Sequence, residues 1–220
     1  MFNRIAVLKT KGYIPDTILD IGAYHGHWTN DCKNIYPDAK YCLFEAINYQ
    51  ELNRYQNDTN VKVFNAILND KQEEVNWYEM QNTGDSIFRE KTHHFENCNI
   101  LKRQTNTLNN VLSEHPDIMT NAKHILIKID CQGAEIPILK GSSEILTKTD
   151  FIILEIPLFG QYNEGVPNFL EHIKYMDEIG YIPFDITDNH YVGGFNIQID
   201  MMFINKNHHF NQDVQKFYRQ

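Results

Sequence analysis

Two spacings of apolar residues alternate along this chain. Short runs of consecutive apolar residues predict buried strands, whereas apolar residues that recur every three or four positions predict amphipathic helices. The runs that predict strands in the first part of the chain lie at 17–21, 40–44, 61–66 and 124–129. After the first run, Trp28, Cys32 and Ile35 recur at helical spacing until Pro37 ends the helix. Strands separated by helices of this length indicate parallel βαβ units and hence an α/β fold.

The rest of the chain continues this alternation around a less regular middle. Helical spacing predicts helices at 49–55, 107–114, 134–146 and 169–179, the second of them capped by Thr107. Apolar runs predict further strands at 74–78, 151–156, 181–185 and 197–204. The polar stretch 81–99 predicts a long loop, of the kind that often forms a functional lid. The polar segment 205–220 is expected to be peripheral.

Composition narrows the class of protein. The sequence holds no repeat or linker, so we expect one domain over 1–220 with its core at about 15–205. With 29 acidic and 20 basic residues the net charge is −9, which disfavours generic nucleic-acid binding. No signal peptide and no bilayer-spanning apolar stretch is apparent, so a cytoplasmic protein without membrane association is expected. The four cysteines form no Cys-x-x-Cys pair, which predicts reduced thiols rather than a zinc site.

The strongest local signal is the loop after the first strand, Asp20-Ile21-Gly22-Ala23-Tyr24-His25-Gly26. A glycine at 22 lets the backbone turn tightly and approach a ligand closely. Dinucleotide-binding loops carry glycine where this loop has Asp20, and a carboxylate there repels a pyrophosphate but attracts an ammonium group. The loop therefore favours S-adenosylmethionine over NAD as the cofactor.

Glu45 ends the second predicted strand, where a carboxylate can accept hydrogen bonds from both hydroxyl groups of a ribose. Taken alone, such a residue is more often a solvated strand end. The order of strand, glycine loop, helix, strand and carboxylate makes the cofactor interpretation the better one.

A second block, Lys128-Ile129-Asp130-Cys131-Gln132-Gly133-Ala134-Glu135, follows the strand at 124–129. This block, the loop at 20–26 and the segment Phe44-Glu45-Ala46 together resemble the FkbM family of methyltransferases. Weaker similarities are Phe64-Asn65-Ala66, Gly84-Asp85-Ser86-Ile87, Thr107-Leu108-Asn109 and Leu154-Glu155. The family's usual residues are replaced here by Cys131, Gln132 and Asn109. The resemblance covers roughly residues 15 to 205.

The resemblance implies a Rossmann-like class I methyltransferase fold, a mostly parallel seven-stranded sheet with helices on both faces. It implies methyl transfer, usually to an oxygen, from S-adenosylmethionine to a small-molecule or glycan acceptor. The residues expected to bind the cofactor are Asp20, Gly22, Ala23, Tyr24, His25, Gly26, Glu45, Ala46, Asn65 and Ala66.

Asp130 and Glu155 are the candidate catalytic residues. Each ends a predicted strand, at the carboxyl edge where open α/β sheets bind ligands. A hydroxyl acceptor must lose its proton near the transition state, and these carboxylates could orient it, act as the base, or bind Mg²⁺. The alternatives are a helix cap for Asp130 and a salt bridge for Glu155. Glu135 is expected to be structural, at the start of a helix.

Three functions therefore remain open at this stage. The first is O-methylation of a sugar or another small hydroxylated acceptor. The second is an NAD-dependent oxidoreductase or epimerase, which Asp20 disfavours. The third is a binding module that has lost activity, because Gln132 cannot take a proton and Asn109 removes a further carboxylate. We assign no metal site, since His93 and His94 have no carboxylate partner apparent in the sequence and are more often a solvated pair.

Overall fold

The computed structural model describes residues 1–159 and 162–217. Within these residues the chain forms ten strands in two sheets. The strands are β1 (Thr17–Ile21), β2 (Lys40–Glu45), β3 (Val61–Asn65), β4 (Ile67–Leu68), β5 (Glu74–Glu79), β6 (Asn99–Asn106), β7 (Ile125–Ile129), β8 (Thr149–Pro157), β9 (Tyr181–Val192) and β10 (Phe195–Asn205).

Helices connect most of these strands. The α-helices are α1 (Phe2–Thr10), α2 (His27–Ile35), α3 (Leu108–Ser113), α4 (Pro116–Asn121), α5 (Glu135–Lys140), α6 (Ser143–Leu146), α7 (Phe169–Glu178) and α8 (Phe210–Phe217). Two short segments, Gln50–Tyr55 and His93–Phe95, are 3₁₀ helices.

The main sheet has seven strands in the order β3-β2-β1-β7-β8-β10-β9. Its first five strands are parallel, and β10 runs antiparallel to both β8 and β9. β1 and β7 are buried along their whole length, as expected for central strands that are covered on both faces. Their two charged residues, Asp20 and Lys128, lie 3.7 Å apart and pair with each other. The Rossmann-like, mostly parallel seven-stranded sheet expected from the sequence is confirmed.

The strands divide their side chains between two apolar clusters, one on each face of the main sheet. In β8, Ile152 and Leu154 pack on the face covered by α3 to α7, whereas Phe151 and Ile153 pack on the face covered by α1, α2 and α8. This division follows from the two-residue period of a strand. Burial on both faces leaves the strand ends as the place where polar groups meet solvent.

The helices at the two ends of the chain were not predicted. In α1, Ile5 and Leu8 recur at helical spacing and are fully buried, but nine residues give too short a pattern to stand out. At the other end, α8 lies within the segment expected to be peripheral, and its Phe210 packs into the same apolar cluster. Residues 218–220 of that segment lie outside the described residues.

The predicted helix at 134–146 is wrong as a single element. It is divided into α5 and α6 around Gly141, where an added Cβ atom would lie 2.3 Å from the carbonyl oxygen of Asn69. The predicted helix at 49–55 is a 3₁₀ helix. β9 extends well beyond the predicted 181–185, whereas β10 matches the predicted 197–204 to within two residues at each end.

A second, three-stranded sheet lies beside the carboxyl end of β3. β6 pairs antiparallel with β5 and parallel with the short β4. The sequence predicted β5 as an extra strand but missed β6, whose residues are mostly exposed and polar. This small sheet supplies one wall of the site described below. Among the described residues, no helix is long and apolar enough to cross a bilayer.

The N-cap of α3 gives a first test. The Thr107 side chain accepts a hydrogen bond from the Asn110 backbone N–H at 3.1 Å, as the sequence predicted. Thr107→Ala should lower the free energy of unfolding by about 1 kcal/mol, because that N–H loses its partner. Urea unfolding monitored by circular dichroism measures the change. Thr107→Ser, which keeps the acceptor, should be close to wild type, and an alanine variant of equal stability would contradict the capping role.

Candidate functional site

A cavity of about 240 Å³ opens at the carboxyl ends of the parallel strands. Its wall includes residues from β1, β2 and β8 on the main sheet, from the loop after β7, and from the segment 82–87 beside the small sheet. Ligands bind at this edge of open α/β sheets because the loops diverge there. The two candidate catalytic residues and five of the ten candidate cofactor-binding residues lie on this wall.

The loop after β1 is held close to β7 by a position that only glycine fits. Gly22 has φ +78°, and an added Cβ atom would lie 1.9 Å from the carbonyl oxygen of Asp130. The Gly22 N–H donates to the carbonyl of Phe44 at 2.9 Å, and the Asp130 N–H donates to the carbonyl of Ile21 at 3.0 Å. The loop is therefore fixed between β2 and β7, with its backbone exposed to the cavity.

Asp20 lies beneath this loop rather than on the cavity wall. Its side chain is 0% exposed, and Oδ2 accepts a hydrogen bond from Thr29 at 2.7 Å. Oδ1 lies 3.7 Å from the ammonium of Lys128 and has no hydrogen-bond partner among the described residues. Burial raises the pKa of Asp20, and Lys128 opposes that rise. Any contact from Asp20 to a ligand therefore depends on Oδ1 alone.

Glu45 joins two loops. Oε2 accepts the Tyr24 N–H at 2.7 Å and Oε1 accepts the Ile47 N–H at 3.0 Å. Burial raises its pKa, and these backbone N–H groups oppose the rise. Each carboxylate oxygen has two lone pairs, so both oxygens retain acceptor capacity after these bonds. Because Glu45 lies on the cavity wall, a ligand with two neighbouring hydroxyl groups can use that capacity.

The other candidate cofactor-binding residues divide into two groups. Among the described residues, Gly22, Tyr24, Ala46 and Ala66 lie on the cavity wall with Glu45. Outside the wall lie Asp20, Ala23, His25, Gly26 and Asn65. The His25 ring stacks on Tyr24 with ring centroids 3.7 Å apart, and the Asn65 amide donates to the carbonyls of Glu45 and Ala46. Those two residues support the loops rather than the cavity surface.

Asp130 and Glu155 meet at the other end of the cavity, where Asp130 directly follows β7 and Glu155 lies two residues before the end of the neighbouring strand β8. The Gln132 amide nitrogen lies 2.9 Å from Glu155 Oε2 and 3.4 Å from Asp130 Oδ1, so it links the two carboxylates. Lys128 lies 3.2 Å from Asp130 Oδ2. Burial, and then the charge of Asp130, raise the pKa of Glu155 well above its ordinary range. The departure from the family at Gln132 therefore puts a hydrogen-bond donor between two acceptors.

Glu135 has the structural role that the sequence predicted. Its Oε1 accepts the N–H groups of Cys131 and Gly133, which close the loop after β7. Ala134 is the N-cap residue of α5, so Asp130 is not a cap of that helix. Burial raises the pKa of Glu135 to about 7, although the backbone hydrogen bonds oppose it.

A histidine and an aspartate lie next to Glu155 on the neighbouring antiparallel strands β9 and β10. Asp200 is opposite Glu155 in the pairing of β10 with β8, and the His190 ring nitrogen Nε2 lies 2.9 Å from Asp200 Oδ2. This hydrogen bond raises the pKa of His190. The sequence gave no signal for the pair, because the two residues come together only through strand pairing.

The segment 81–99 is docked on the site. The Ser86 hydroxyl donates to the carbonyls of Cys131 and Gln132, and the Asn163 amide donates to the carbonyl of Phe88. The residues of the cavity wall that sequence reasoning did not assign to the site include Tyr49, Trp77 and Asp85. The similarity at 84–87 was an available signal for Asp85, since it marked that segment as part of the family pattern, but it gave none for Tyr49 or Trp77.

Other polar candidates lie apart from the cavity. The Asn109 side chain bonds the Ser143 hydroxyl and the Glu144 N–H, so it joins α3 to α6. His93 and His94 are exposed, with ring centroids 3.9 Å apart. In the described part of the chain, no three His, Cys, Asp or Glu side chains are grouped as metal ligands.

The raised pKa of Glu135 predicts a pH dependence of stability. A carboxyl group that holds its proton more tightly when folded contributes stability that is present at low pH and lost as pH rises through about 7. Glu135→Gln keeps an oxygen for the two N–H groups but cannot titrate. The wild type should lose on the order of 3 kcal/mol relative to this variant between pH 4 and 8. Denaturant unfolding at several pH values measures this, with exposed Glu144→Gln as the control, and parallel wild-type and Glu135→Gln profiles would contradict it.

Comparison with known proteins places this site in a family. The model of the methyltransferase FkbM domain matches residues 20–183, which is more than half of the chain. No curated protein matches the sequence. The match favours the methyltransferase interpretation over an NAD-dependent oxidoreductase.

Solved structures support the fold. A methyltransferase FkbM from Methylobacillus flagellatus KT is 14% identical with a TM-score of 0.50, over 85% of this chain and 43% of that one. The present chain thus spans less than half of that protein. A 1,6-didemethyltoxoflavin-N1-methyltransferase from Burkholderia thailandensis, solved with S-adenosylhomocysteine, is 10% identical with a TM-score of 0.52, over 92% of this chain and 76% of that one. The glycine loop, the Glu45 carboxylate and the block at 128–135 all lie within the matched residues, and the chain belongs to the FkbM family of methyltransferases.

Proposed function

We propose that the protein is an S-adenosylmethionine-dependent O-methyltransferase that acts on a sugar or another small hydroxylated acceptor. The observation that carries the proposal is the pair of carboxylates, Asp130 and Glu155, held by one amide at the end of the cavity. A hydroxyl acceptor needs both orientation and removal of its proton, and two adjacent carboxylates can divide these two tasks.

The cavity fits the cofactor in three respects. The backbone beside Gly22 is bare, because a Cβ atom there would collide with Asp130. Glu45 retains acceptor capacity for the ribose hydroxyls. The buried carboxylate of Asp20, below the loop, contributes negative charge that favours an ammonium group in the cavity without touching it. When bound, S-adenosylmethionine supplies a methyl group activated by a sulfonium, which becomes a neutral thioether once the methyl is transferred.

Glu155 is the proposed proton acceptor. Burial and the Asp130 charge raise its pKa, which makes it a stronger base than an ordinary carboxylate. Asp130 is ion-paired with Lys128, an arrangement suited to orienting the acceptor hydroxyl. In the proposed step the acceptor hydroxyl gives its proton to Glu155 as its oxygen takes the methyl group. Because Glu155 must be deprotonated, turnover should increase as pH rises through its raised pKa.

The Gln132 side chain is neutral, so it can donate hydrogen bonds to both carboxylates without accepting the acceptor's proton itself. A carboxylate at this position would add a third negative charge within hydrogen-bond distance of Glu155, whereas the amide donates to it. Gln132 holds this position with φ +52°, a conformation that L-residues adopt at some cost. Its replacement of the family's acidic residue is therefore compatible with catalysis by Glu155.

The cofactor assignment is tested at Glu45. Glu45→Ala should weaken S-adenosylhomocysteine binding by on the order of 2–4 kcal/mol, because two hydrogen bonds to a charged acceptor are lost. The substitution also releases the Tyr24 and Ile47 N–H groups, so the ribose contribution needs its own control. An analogue that lacks both ribose hydroxyls should bind wild type and variant with nearly equal affinity by calorimetry. Equal weakening of both ligands would show that Glu45 only supports the loops.

The catalytic assignment is tested at Glu155 and Asp130. Glu155→Gln should lower turnover by about 10²–10⁴-fold with little change in cofactor affinity, because the base is removed. Asp130→Asn should lower turnover less, and should move the acid limb of the pH profile to lower pH, because the charge that raises the pKa of Glu155 is gone.

The assay follows S-adenosylhomocysteine formation and methyl ethers by mass spectrometry, with monosaccharides, phenols and small alcohols as acceptors and amines as the contrast. Activity that a chelator removes and Mg²⁺ restores would add a metal to the mechanism. Cofactor binding without turnover on any acceptor would favour the inactive binding module. Full activity of Glu155→Gln would remove Glu155 as the base.

A further inference from the structure

Three acidic residues lie directly opposite one another across the last three strands of the main sheet. Glu155 of β8 is paired with Asp200 of β10, and Asp200 is paired in turn with Asp188 of β9. Residues opposite each other on antiparallel strands share one face, with Cβ atoms about 4.5–5.5 Å apart, and like charges in such pairs are destabilising. A row of this kind is stable only with a compensating cation or hydrogen-bond donor.

His190 supplies that compensation. Its ring nitrogen Nε2 lies 2.9 Å from Asp200 Oδ2. The Asp200 side chain is 5% exposed, whereas the His190 side chain is 42% exposed. The hydrogen bond to Asp200 raises the pKa of His190, so the ring keeps its proton to a higher pH than a free histidine does. The pair therefore extends from a buried carboxylate beside Glu155 to a ring that reaches solvent.

The strand pairing places the two partners of Asp200 on opposite sides of it. In the sheet, β10 lies between β8 and β9, so Glu155 is on one side of Asp200 and His190 on the other. His190 is paired with Gln198, and it therefore reaches Asp200 along the diagonal between the two strands. The Thr187 hydroxyl donates to the Asp200 carbonyl at 3.0 Å, which fixes the backbone at this point. Asp200 is thus held from β9 while it lies beside Glu155.

Asp200 and His190 belong to a larger set of titratable groups at this end of the sheet. The groups that interact with Glu155 or with His190 come from β7, the loop after it, α5, the segment after β8, and the last two strands: Lys128, Asp130, Glu135, Tyr162, Asp188 and Asp200. Asp188 is itself 3.5 Å from the Met1 amino group. Burial raises the pKa of Glu155 most, the charges of Asp130, Glu135 and Asp200 add to the rise, and Lys128 opposes it. The proposed methyl transfer gives no role to Asp200 or His190.

We propose that Asp200 and His190 are positioning residues for the proposed base. The Asp200 carboxylate, fixed and kept ionised by His190, places a negative charge beside Glu155 and so strengthens Glu155 as the proton acceptor. Neither residue lies on the described part of the cavity wall, so both act through Glu155 rather than on a ligand. The inference rests on the proposed function, because it takes Glu155 to be the base.

The first measurement is the titration of the Glu155 carboxyl group itself, which needs no acceptor. NMR of isotope-labelled carboxyl carbons follows it, and the Glu155 signal is the one that Glu155→Gln removes. A nearby negative charge disfavours the ionised carboxylate and raises its pKa, so removal of that charge lowers the pKa. Asp200→Asn keeps the shape and loses the charge. It should lower the pKa of Glu155 by about one to two pH units, the effect of a unit charge roughly 6 Å away at an effective dielectric constant of about 20.

Two further variants separate this effect from a loss of packing. His190→Gln keeps an N–H donor for Asp200 but carries no positive charge, so the Asp200 charge is less neutralised and the pKa of Glu155 should rise by about one pH unit. Asp188→Asn is the matched control, because it removes the same charge from β9, where the side chain is 50% exposed. It should change the pKa of Glu155 by less than about 0.5 pH unit, since water screens that charge. Circular dichroism checks that each variant is folded.

The second measurement is the pH profile of turnover at saturating cofactor. The acid limb should move to lower pH in Asp200→Asn and to higher pH in His190→Gln, in step with the titration of Glu155. The affinity for S-adenosylhomocysteine should be unchanged in both variants, because neither residue lies on the described cavity wall.

An unchanged Glu155 titration in folded Asp200→Asn overturns the inference and leaves the proposed function intact. If only His190→Gln titrates like the wild type, the role of His190 is overturned. If the titration of Glu155 shifts but the turnover profile does not follow it, Glu155 is not the base, so the proposed function fails and the inference fails with it. If Asp200→Asn is unfolded, a pKa of Glu155 that does not rise in His190→Gln overturns the inference.

Discussion

The buried ammonium group of Lys128 is the interaction on which the site depends. It lies between Asp20 of β1 and Asp130 after β7, within 4 Å of both carboxylates and 5.8 Å from the centre of the Trp28 ring. Burial alone lowers the pKa of Lys128, but Asp130 and Asp20 outweigh it and raise the pKa. Because an unpaired buried charge is strongly destabilising, these groups are stable only together. Because Lys128 must stay paired with both Asp20 and Asp130, the loop at 20–26 is held against the loop at 130–133.

Carboxylate groups both order the loops, by accepting backbone hydrogen bonds, and supply the proposed chemistry. The carboxylates of Glu45, Asp85 and Glu135 each accept backbone N–H groups from a loop that borders the cavity. A carboxylate has more lone pairs than these bonds use, so Glu45 can hold a loop and still accept hydrogen bonds from a ligand in the cavity. The loops are thereby ordered before a ligand arrives, which reduces the entropic cost of binding.

The two ends of the cavity differ in character because they are built from different sheets. At the main sheet, Asp130 and Glu155 face each other with Asp200 behind them, and this end is acidic. At the small sheet, apolar side chains such as Leu68 and Trp77 form the wall. An asymmetric cavity of this kind favours one orientation of an asymmetric ligand, with its charged end at the main sheet and its apolar end at the small sheet.

The sequence by itself determined the strands of the main sheet, the tight turn at Gly22 and the cap at Thr107, because those features depend on neighbouring residues. It also placed Asp130 and Glu155 at one sheet edge, since the ends of parallel strands meet there. Only the tertiary structure decided that Asp20 pairs with Lys128 beneath the loop and that a small sheet closes the cavity. Those outcomes depend on strand register and on contacts between residues far apart in the chain. A local sequence pattern indicates that a residue is buried, but it does not indicate which distant residue it will contact.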